Sequence, residues 1–309
     1  MRDSKCELAS LRYGPDWLHE RIVAGEHVII DGGMGTELEA RGVPMNEHAW
    51  SGEALLSHPD VVRAIHADYI AAGAEVIITN TFAAGHQVLT LAGLGDEVAH
   101  INRKAVEVAM QARGDSAQQD VAIAGSMSVW MQPGTTPPEQ RVADEFHEQA
   151  DILATAGVDL IALEMCSHPL YSPLIIEAAV ATGLPVWLGL SCKQDDDAGL
   201  VGFDPPNAEF KGLVAELIDR GAGVINIMHS TVDDSTAALS VLSDLWQGPV
   251  GAYPESGYFV MPNWQFVDII DPDDLVQRAR GWSDSGVRIL GGCCGLGVPH
   301  IKALKEAFG

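Results

Sequence analysis

Gly291-Gly292-Cys293-Cys294-Gly295 is the stretch whose residue types and spacing say most about chemistry. Two neighbouring thiolates can grip one ion only where the backbone turns sharply enough for adjacent side chains to converge, and the flanking glycines permit such a turn. The ordinary alternative is a pair of small buried core residues. Three framing glycines favour the metal. Further polar groups close other apolar runs: Asp31 ahead of Gly32-Gly33-Met34-Gly35-Thr36, then Thr79-Asn80-Thr81, Ser126, Glu164, Asn226, His229 and Glu255.

These groups need a scaffold to bring them together. Apolar runs rich in β-branched residues recur eight times, at 28–31, 75–79, 121–126, 160–164, 185–191, 223–229, 249–253 and 287–292. Their near-continuous hydrophobicity is that of parallel strands covered on both faces. Helix-periodic stretches separate them. Gly73, Gly157, Gly183, Gly221 and Gly286 each stand between a helical stretch and the next strand, where glycine closes a helix in the left-handed conformation. Pro59, Pro138 and Pro272 fall near helix starts, where a missing N–H costs nothing. The repeats predict a single (β/α)8 TIM barrel over residues 27–309, after an N-terminal extension, residues 1–26, that folds as a helix across the barrel floor or runs over the surface. An open doubly wound sheet is the alternative, but it would not need eight regular repeats. In a barrel the C-terminal strand ends share one rim, so the polar groups above converge.

Composition narrows the function. The 309 residues are 47% hydrophobic and 20% charged, as in a folded enzyme. A formal net charge of -25 sets the chain against nucleic acid, whose phosphates it would repel. The first twenty residues lack a signal-type apolar core, and no apolar run reaches bilayer length, so a cytoplasmic protein without a membrane partner is expected. Five cysteines, two of them adjacent, suit metal or thiol chemistry in a reducing compartment better than a disulfide framework. A homo-oligomer is compatible with the sequence, which fixes no number of copies.

Asp31-Gly32-Gly33-Met34-Gly35-Thr36, Trp50-Ser51, the stretch from Ala72-Gly73-Ala74 to Thr79-Asn80-Thr81-Phe82, Gly125-Ser126, Glu164, Tyr253-Pro254-x-Ser256-Gly257 and Gly291-Gly292-Cys293-Cys294-Gly295 together resemble the homocysteine S-methyltransferase family, in matching order. The resemblance implies a (β/α)8 barrel, one Zn2+ held by three cysteines, homocysteine as the small-molecule thiol acceptor, and a small-molecule methyl donor. It places the last two zinc ligands on Cys293 and Cys294. It also assigns the homocysteine ammonium to Asp31 and Glu164, and the homocysteine carboxylate to backbone donors of the Gly32-Gly33 turn. Carboxylates do pair with an ammonium, and consecutive N–H groups do form an anion nest. The plainer alternatives are a helix cap or turn residue for Asp31 and an ion-pair partner for Glu164. Trp50 and Phe82 match aromatic residues that help hold the donor in related enzymes, with Trp130 and Tyr253 beside them. Aromatic faces attract onium methyl groups, and packing beneath the long loop after Asp31 is the alternative.

The departure from the family lies in strand six. The family's first zinc cysteine follows the asparagine there, whereas Asn226 is followed by Ile227, which cannot ligate a metal. Residues two apart in a strand share a face about 6.6 Å along, so His229 is expected to substitute in a Cys2His site. Cys192 and Cys166, at the ends of strands five and four, are competing third ligands, and a zinc-free protein is the remaining option. A neutral imidazole in place of a thiolate would leave a bound sulfur less electron-rich and slower to attack. The expected reaction is zinc-dependent methyl transfer from a small sulfonium or quaternary ammonium donor, S-methylmethionine first, to homocysteine, giving methionine. Rivals are a family member with another thiol acceptor, a zinc-free binding or inactive paralogue, and, last, a Schiff-base aldolase built on Lys193.

Overall fold

The computed structural model describes residues 11–116, 119–131 and 136–309, so the first ten residues of the predicted extension lie outside the described range. Eight parallel strands form one sheet: β1 (Val28–Ile29), β2 (Val76–Ile78), β3 (Ala122–Ser128), β4 (Leu160–Glu164), β5 (Val186–Leu190), β6 (Val224–Thr231), β7 (Val250–Glu255) and β8 (Ile289–Leu290). From β2 onward each strand pairs with its successor. β8 returns to β1 through Val28 and Ile289, and a bridge between Ile30 and Val76 joins β1 to β2. The result is the predicted TIM barrel rather than an open sheet.

Period-two alternation divides the strand residues between two packings. Val28, Ile30, Val76, Ala122, Ala124, Leu160, Ala162, Trp187, Val224 and Ile289 fill the barrel interior. Ile29, Ile77, Ile123, Ile161, Leu188, Ile225 and Ile227 instead pack beneath the surrounding helices. The five glycines expected to close helices all have φ between 76° and 103°. Pro59 and Pro272 start their helices, and Pro138 caps the helix Glu139–Ala156.

Residues Asp16–Val23 form a helix across the barrel floor. Leu18 and Ile22, one turn apart, are buried against the inward-facing strand residues, and Trp187 Nε1 donates a 2.7 Å hydrogen bond to the Tyr13 carbonyl. At the opposite end stand two hairpins that the apolar runs did not announce: Cys192–Asp195 with Gly199–Gly202, and Tyr258–Val260 with Asn263–Gln265. No described helix is long and apolar enough to cross a membrane.

Candidate active site

A cavity of about 570 Å³ opens at the C-terminal ends of the strands, where TIM barrels hold their active sites. Asp31, Gly32, Gly33, Trp50, Phe82, Glu164, His229, Cys293 and Cys294, all singled out from the sequence, line it together with Trp130 and Tyr253.

Backbone bonds on both sides fix the Cys293-Cys294 turn. Cys293 N donates to the Pro254 carbonyl (2.8 Å), Ser256 N to the Cys294 carbonyl (2.9 Å) and Gly292 N to the Asp31 carbonyl (3.1 Å). Gly295 has a φ of 80°, and a Cβ there would meet the Ser256 carbonyl at 1.9 Å, so a side chain is excluded. The two sulfurs end 3.9 Å apart.

His229 reaches the cavity by an irregular path. Ile227 packs outward beneath the helices, and plain alternation would send His229 the same way. A register shift between Met228 and Thr231 and a φ of 42° at His229 turn the ring inward instead. The expectation that His229 continues the face of Ile227 is thereby corrected: the ring enters the site because the strand breaks its alternation. Its Nδ1 lies 3.6 Å from Cys293 Sγ. Ligand atoms of His229, Cys293 and Cys294 all fall within 4.8 Å of one another, a cluster able to hold a metal ion.

The competing thiols stay away. Cys192 Sγ faces Ser230 Oγ (3.6 Å) and the Asp234 carbonyl (3.8 Å), and Cys166 Sγ faces the Glu164 carbonyl (4.0 Å). Burial pushes both thiols up, Cys192 to about 12. Within the cluster, the Cys294 thiol donating to Cys293 holds the Cys293 pKa below its ordinary value, with help from His229, and raises that of Cys294. Burial alone would lower the His229 imidazole, but the negative charges of Glu255 and Cys293 raise it well above its usual value.

Two buried carboxylates flank the cluster. Asp31 Oδ2 accepts from Ile78 N at 2.8 Å, and Glu164 accepts from Ser126 Oγ. Burial raises both, Asp31 well above the carboxylate range and Glu164 to about 8, and the nearby charge of Glu164 on Asp31, and of Cys293 on Glu164, pushes further in the same direction. No Lys or Arg is among the described residues lining the cavity. Lys193, the aldolase candidate, instead holds its Nζ 5.7 Å over the Phe203 ring. The Gly33 N–H is taken by the Leu296 carbonyl (3.1 Å). Donors for an anion therefore remain in the first turn of the helix Met34–Ala40, which has no side-chain cap.

Rings form the upper walls. Trp50, at a φ of 44°, lies over Gly35, where a Cβ would overlap its ring at 2.3 Å. Phe82 meets Trp50 edge-on at 6.3 Å and stacks with Trp130 at 5.8 Å. Sequence reasoning missed the facing wall, in which Phe259 lies 5.8 Å from Trp50 and Trp264 lies 6.3 Å from His229. Phe203 and Asp204 also line the cavity. The available signal was the density of rings in Tyr258-Phe259-Val260-Met261-Pro262-Asn263-Trp264, directly after β7 at the active rim.

The family model for homocysteine S-methyltransferase matches residues 28–308. The chain belongs to the homocysteine S-methyltransferase family. The selenocysteine methyltransferase of Astragalus bisulcatus is 30% identical, with 94% of each protein covered. Homocysteine S-methyltransferase 4 of Zea mays is 27% identical over 92% of this chain and 90% of its own length. The betaine–homocysteine S-methyltransferase 1 of Rattus norvegicus is 27% identical over 93% and 73%. Among solved structures, the metallated form of the homocysteine methyltransferase MmuM from Escherichia coli superposes with a TM-score of 0.74 at 25% identity, covering 91% of this chain and 96% of that one. This family member is a methyltransferase acting on small molecules.

Proposed function

We propose that the chain uses Zn2+ to transfer a methyl group from a small sulfonium or quaternary ammonium donor, S-methylmethionine first, to the thiol of homocysteine, giving methionine. The observation that carries this reading is the cluster of His229, Cys293 and Cys294 inside the cavity. Zinc bonds of about 2.3 Å to sulfur and about 2.0–2.1 Å to nitrogen, spread tetrahedrally, separate two sulfurs by about 3.8 Å and sulfur from nitrogen by about 3.6 Å. The corresponding distances here are 3.9 Å and 3.6 Å, so the residues fit the ion. When bound, zinc supplies the positive charge that keeps the acceptor thiol deprotonated at neutral pH.

The remaining residues bind and orient. Asp31 and Glu164 pair with the homocysteine ammonium, which brings the cation that both carboxylates lack. The first-turn N–H groups of Met34–Ala40, which follow the Gly32-Gly33 turn, receive its carboxylate. Trp50, Phe82 and Trp130 present ring faces to the methyl-bearing cation. Phe259 and Trp264 exclude water and help hold sulfur and methyl carbon in line. Four carboxylates, Asp31, Glu164, Asp204 and Glu255, line the cavity without a described Lys or Arg, which favours a cationic donor over an anionic one. In this reading residues 27–309 are the catalytic barrel and residues 1–26 its extension, working in a reducing cytoplasm that keeps the paired thiols free.

Zinc content and transfer rate, measured on protein never exposed to chelator, test the reading with homocysteine and S-methylmethionine as substrates. One zinc per chain is expected, with most of the metal and the activity lost in His229→Ala. Full-rate transfer by metal-free protein would sink the zinc mechanism. Unchanged zinc in His229→Ala would remove the histidine from the ligand set.

A further inference from the structure

Of the four described carboxylates that line the cavity, three have a cation accounted for. Asp31 and Glu164 take the acceptor ammonium in the reading given above, and Glu255 Oε2 lies 2.9 Å from His229 Nδ1. Asp204 is the fourth. It stands just beyond the hairpin that follows β5, half-buried, next to Phe203, whose ring lies 4.9 Å from that of His229. The loop fixes this residue without satisfying its carboxylate. Phe203 N donates to the Ser191 carbonyl (3.1 Å) and Asn207 N to the Asp204 carbonyl (2.9 Å), while Asn207 Nδ2 donates to the carbonyls of Gly202 (3.0 Å) and Phe203 (3.1 Å). Asp204 N donates to Ser167 Oγ at 3.2 Å, and the same hydroxyl is the described donor to Asp204 Oδ2, at a long 3.4 Å. Asp195, at the turn of the same hairpin, shows the ordinary use of a loop carboxylate, accepting from Asp197 N at 3.0 Å and Ala198 N at 2.9 Å. Asp204 has no such backbone donor among the described residues, and Lys193, with Nζ 5.7 Å over the Phe203 ring, acts on it only through space. Burial raises the Asp204 carboxyl above its ordinary value even so.

We propose that Asp204 binds the α-ammonium of the methyl donor, and so selects amino-acid sulfonium donors over onium donors that carry no amine. This rests on the methyl-transfer reading given above and names the donor class for that site. An ammonium offers N–H groups to a carboxylate in charge-assisted hydrogen bonds, which are about twice as strong as neutral ones. A sulfonium or quaternary ammonium centre presents only carbon-bound hydrogens, and ring faces are its match. Asp204 is therefore suited to the end of the donor that does not react. An anchor that the donor alone uses also tells two amino-acid substrates apart, because Asp31 and Glu164 are then left to the acceptor. The backbone bonds around Phe203 and Asn207 hold the carboxylate ready before the donor arrives, which lowers the cost of binding it.

Two donors that differ in the amine decide the matter. S-methylmethionine and dimethylsulfoniopropionate share the sulfonium methyl groups and the carboxylate, and only the first has an ammonium. In steady-state transfer to homocysteine, wild type is expected to favour S-methylmethionine in kcat/KM. Asp204→Asn keeps the size of the side chain and should raise the KM for S-methylmethionine about 10-fold or more with kcat unchanged. The KM for dimethylsulfoniopropionate, or its inhibition constant where it is bound without being turned over, should stay as in wild type, as should zinc content and the KM for homocysteine. A wild type without preference between the two compounds, or an Asp204→Asn variant that weakens both equally or neither, overturns the assignment and leaves the methyl-transfer reading standing. Wild-type protein that transfers a methyl group from neither compound overturns both.

Discussion

Glu75 at the floor of the barrel and Asp31 at its mouth are almost equally buried, 4% and 2% exposed, yet they keep different company. Glu75 pairs with Arg21, has Lys305 Nζ at 3.3 Å and accepts from Ile29 N at 3.0 Å. Asp31 and, at 7% exposure, Glu164 accept hydrogen bonds from Ile78 N and Ser126 Oγ, with no Lys or Arg among the described residues lining their cavity. The backbone follows the same division, because among the described residues three of the five non-glycine residues at positive φ, Trp50, Met165 and His229, line the mouth cavity. Backbone strain and buried carboxyls without a cation of the fold beside them are features that functional sites carry. The floor carboxylate is neutralised by cations of the fold itself, and on the proposed function the mouth carboxylates receive theirs from what they bind.

The largest expected effect comes from removing charge at the mouth. Glu164 has its folded pKa raised to about 8 by burial, with the Cys293 charge adding, against about 4.3 in an unfolded chain. A raised folded pKa contributes stability that is fully present below the unfolded value and is lost as pH climbs through about 8. In zinc-free protein without substrate, Glu164→Gln should therefore match wild type near pH 4 and exceed it by a widening margin up to about pH 8, reaching a few kcal/mol. Thermal melts across that range measure it. A constant difference between the two proteins at all pH values would mean that Glu164 is not the strained carboxylate at the mouth.

At the floor the sign should reverse. Arg21→Met uncovers one side of Glu75 and also loses the bond to the His27 carbonyl (2.7 Å). With Lys305 still in place, the loss is expected to be about 2 kcal/mol in urea denaturation at neutral pH. No loss would show that Lys305 alone satisfies Glu75, and the contrast between the two ends would narrow to a count of cations.

The same contrast explains what could be read from sequence. The barrel was legible because its rules are local: apolar runs such as 160–164 mark strands buried on both faces, and Gly157 or Gly286 marks the helix end before the next strand. The Cys293-Cys294 turn, Asp31 and Glu164 were legible because rim residues follow from strand ends. His229 was found on a faulty premise, since alternation alone would have buried it with Ile227, and only the bulge delivers it. The hairpin Tyr258–Val260 with Asn263–Gln265 was hidden because its place depends on tertiary bonds, such as Trp264 N donating to Glu39 Oε2 at 2.8 Å. Glu255 was visible as a rim residue, but its approach to His229 depends on the shifted β6–β7 register, which no local pattern encodes.

The smallest expected effect concerns the ring faces above the carboxylates. If the mouth takes one cation as an ammonium on Asp31 and Glu164 and a second as a methyl-bearing onium group against the rings, the two can be weakened separately. Phe82 is half-buried, and its partners Trp50 and Trp130 would still enclose the space in Phe82→Leu, which keeps an apolar side chain but removes the quadrupole. Loss of one cation–π contact is worth about 1 kcal/mol, so the KM for S-methylmethionine should rise about five-fold. Homocysteine affinity and zinc content should stay unchanged, because neither depends on the ring. A matching rise in the homocysteine KM would show that Phe82 shapes the cavity as a whole, and the division of the mouth into two cation sites would fail.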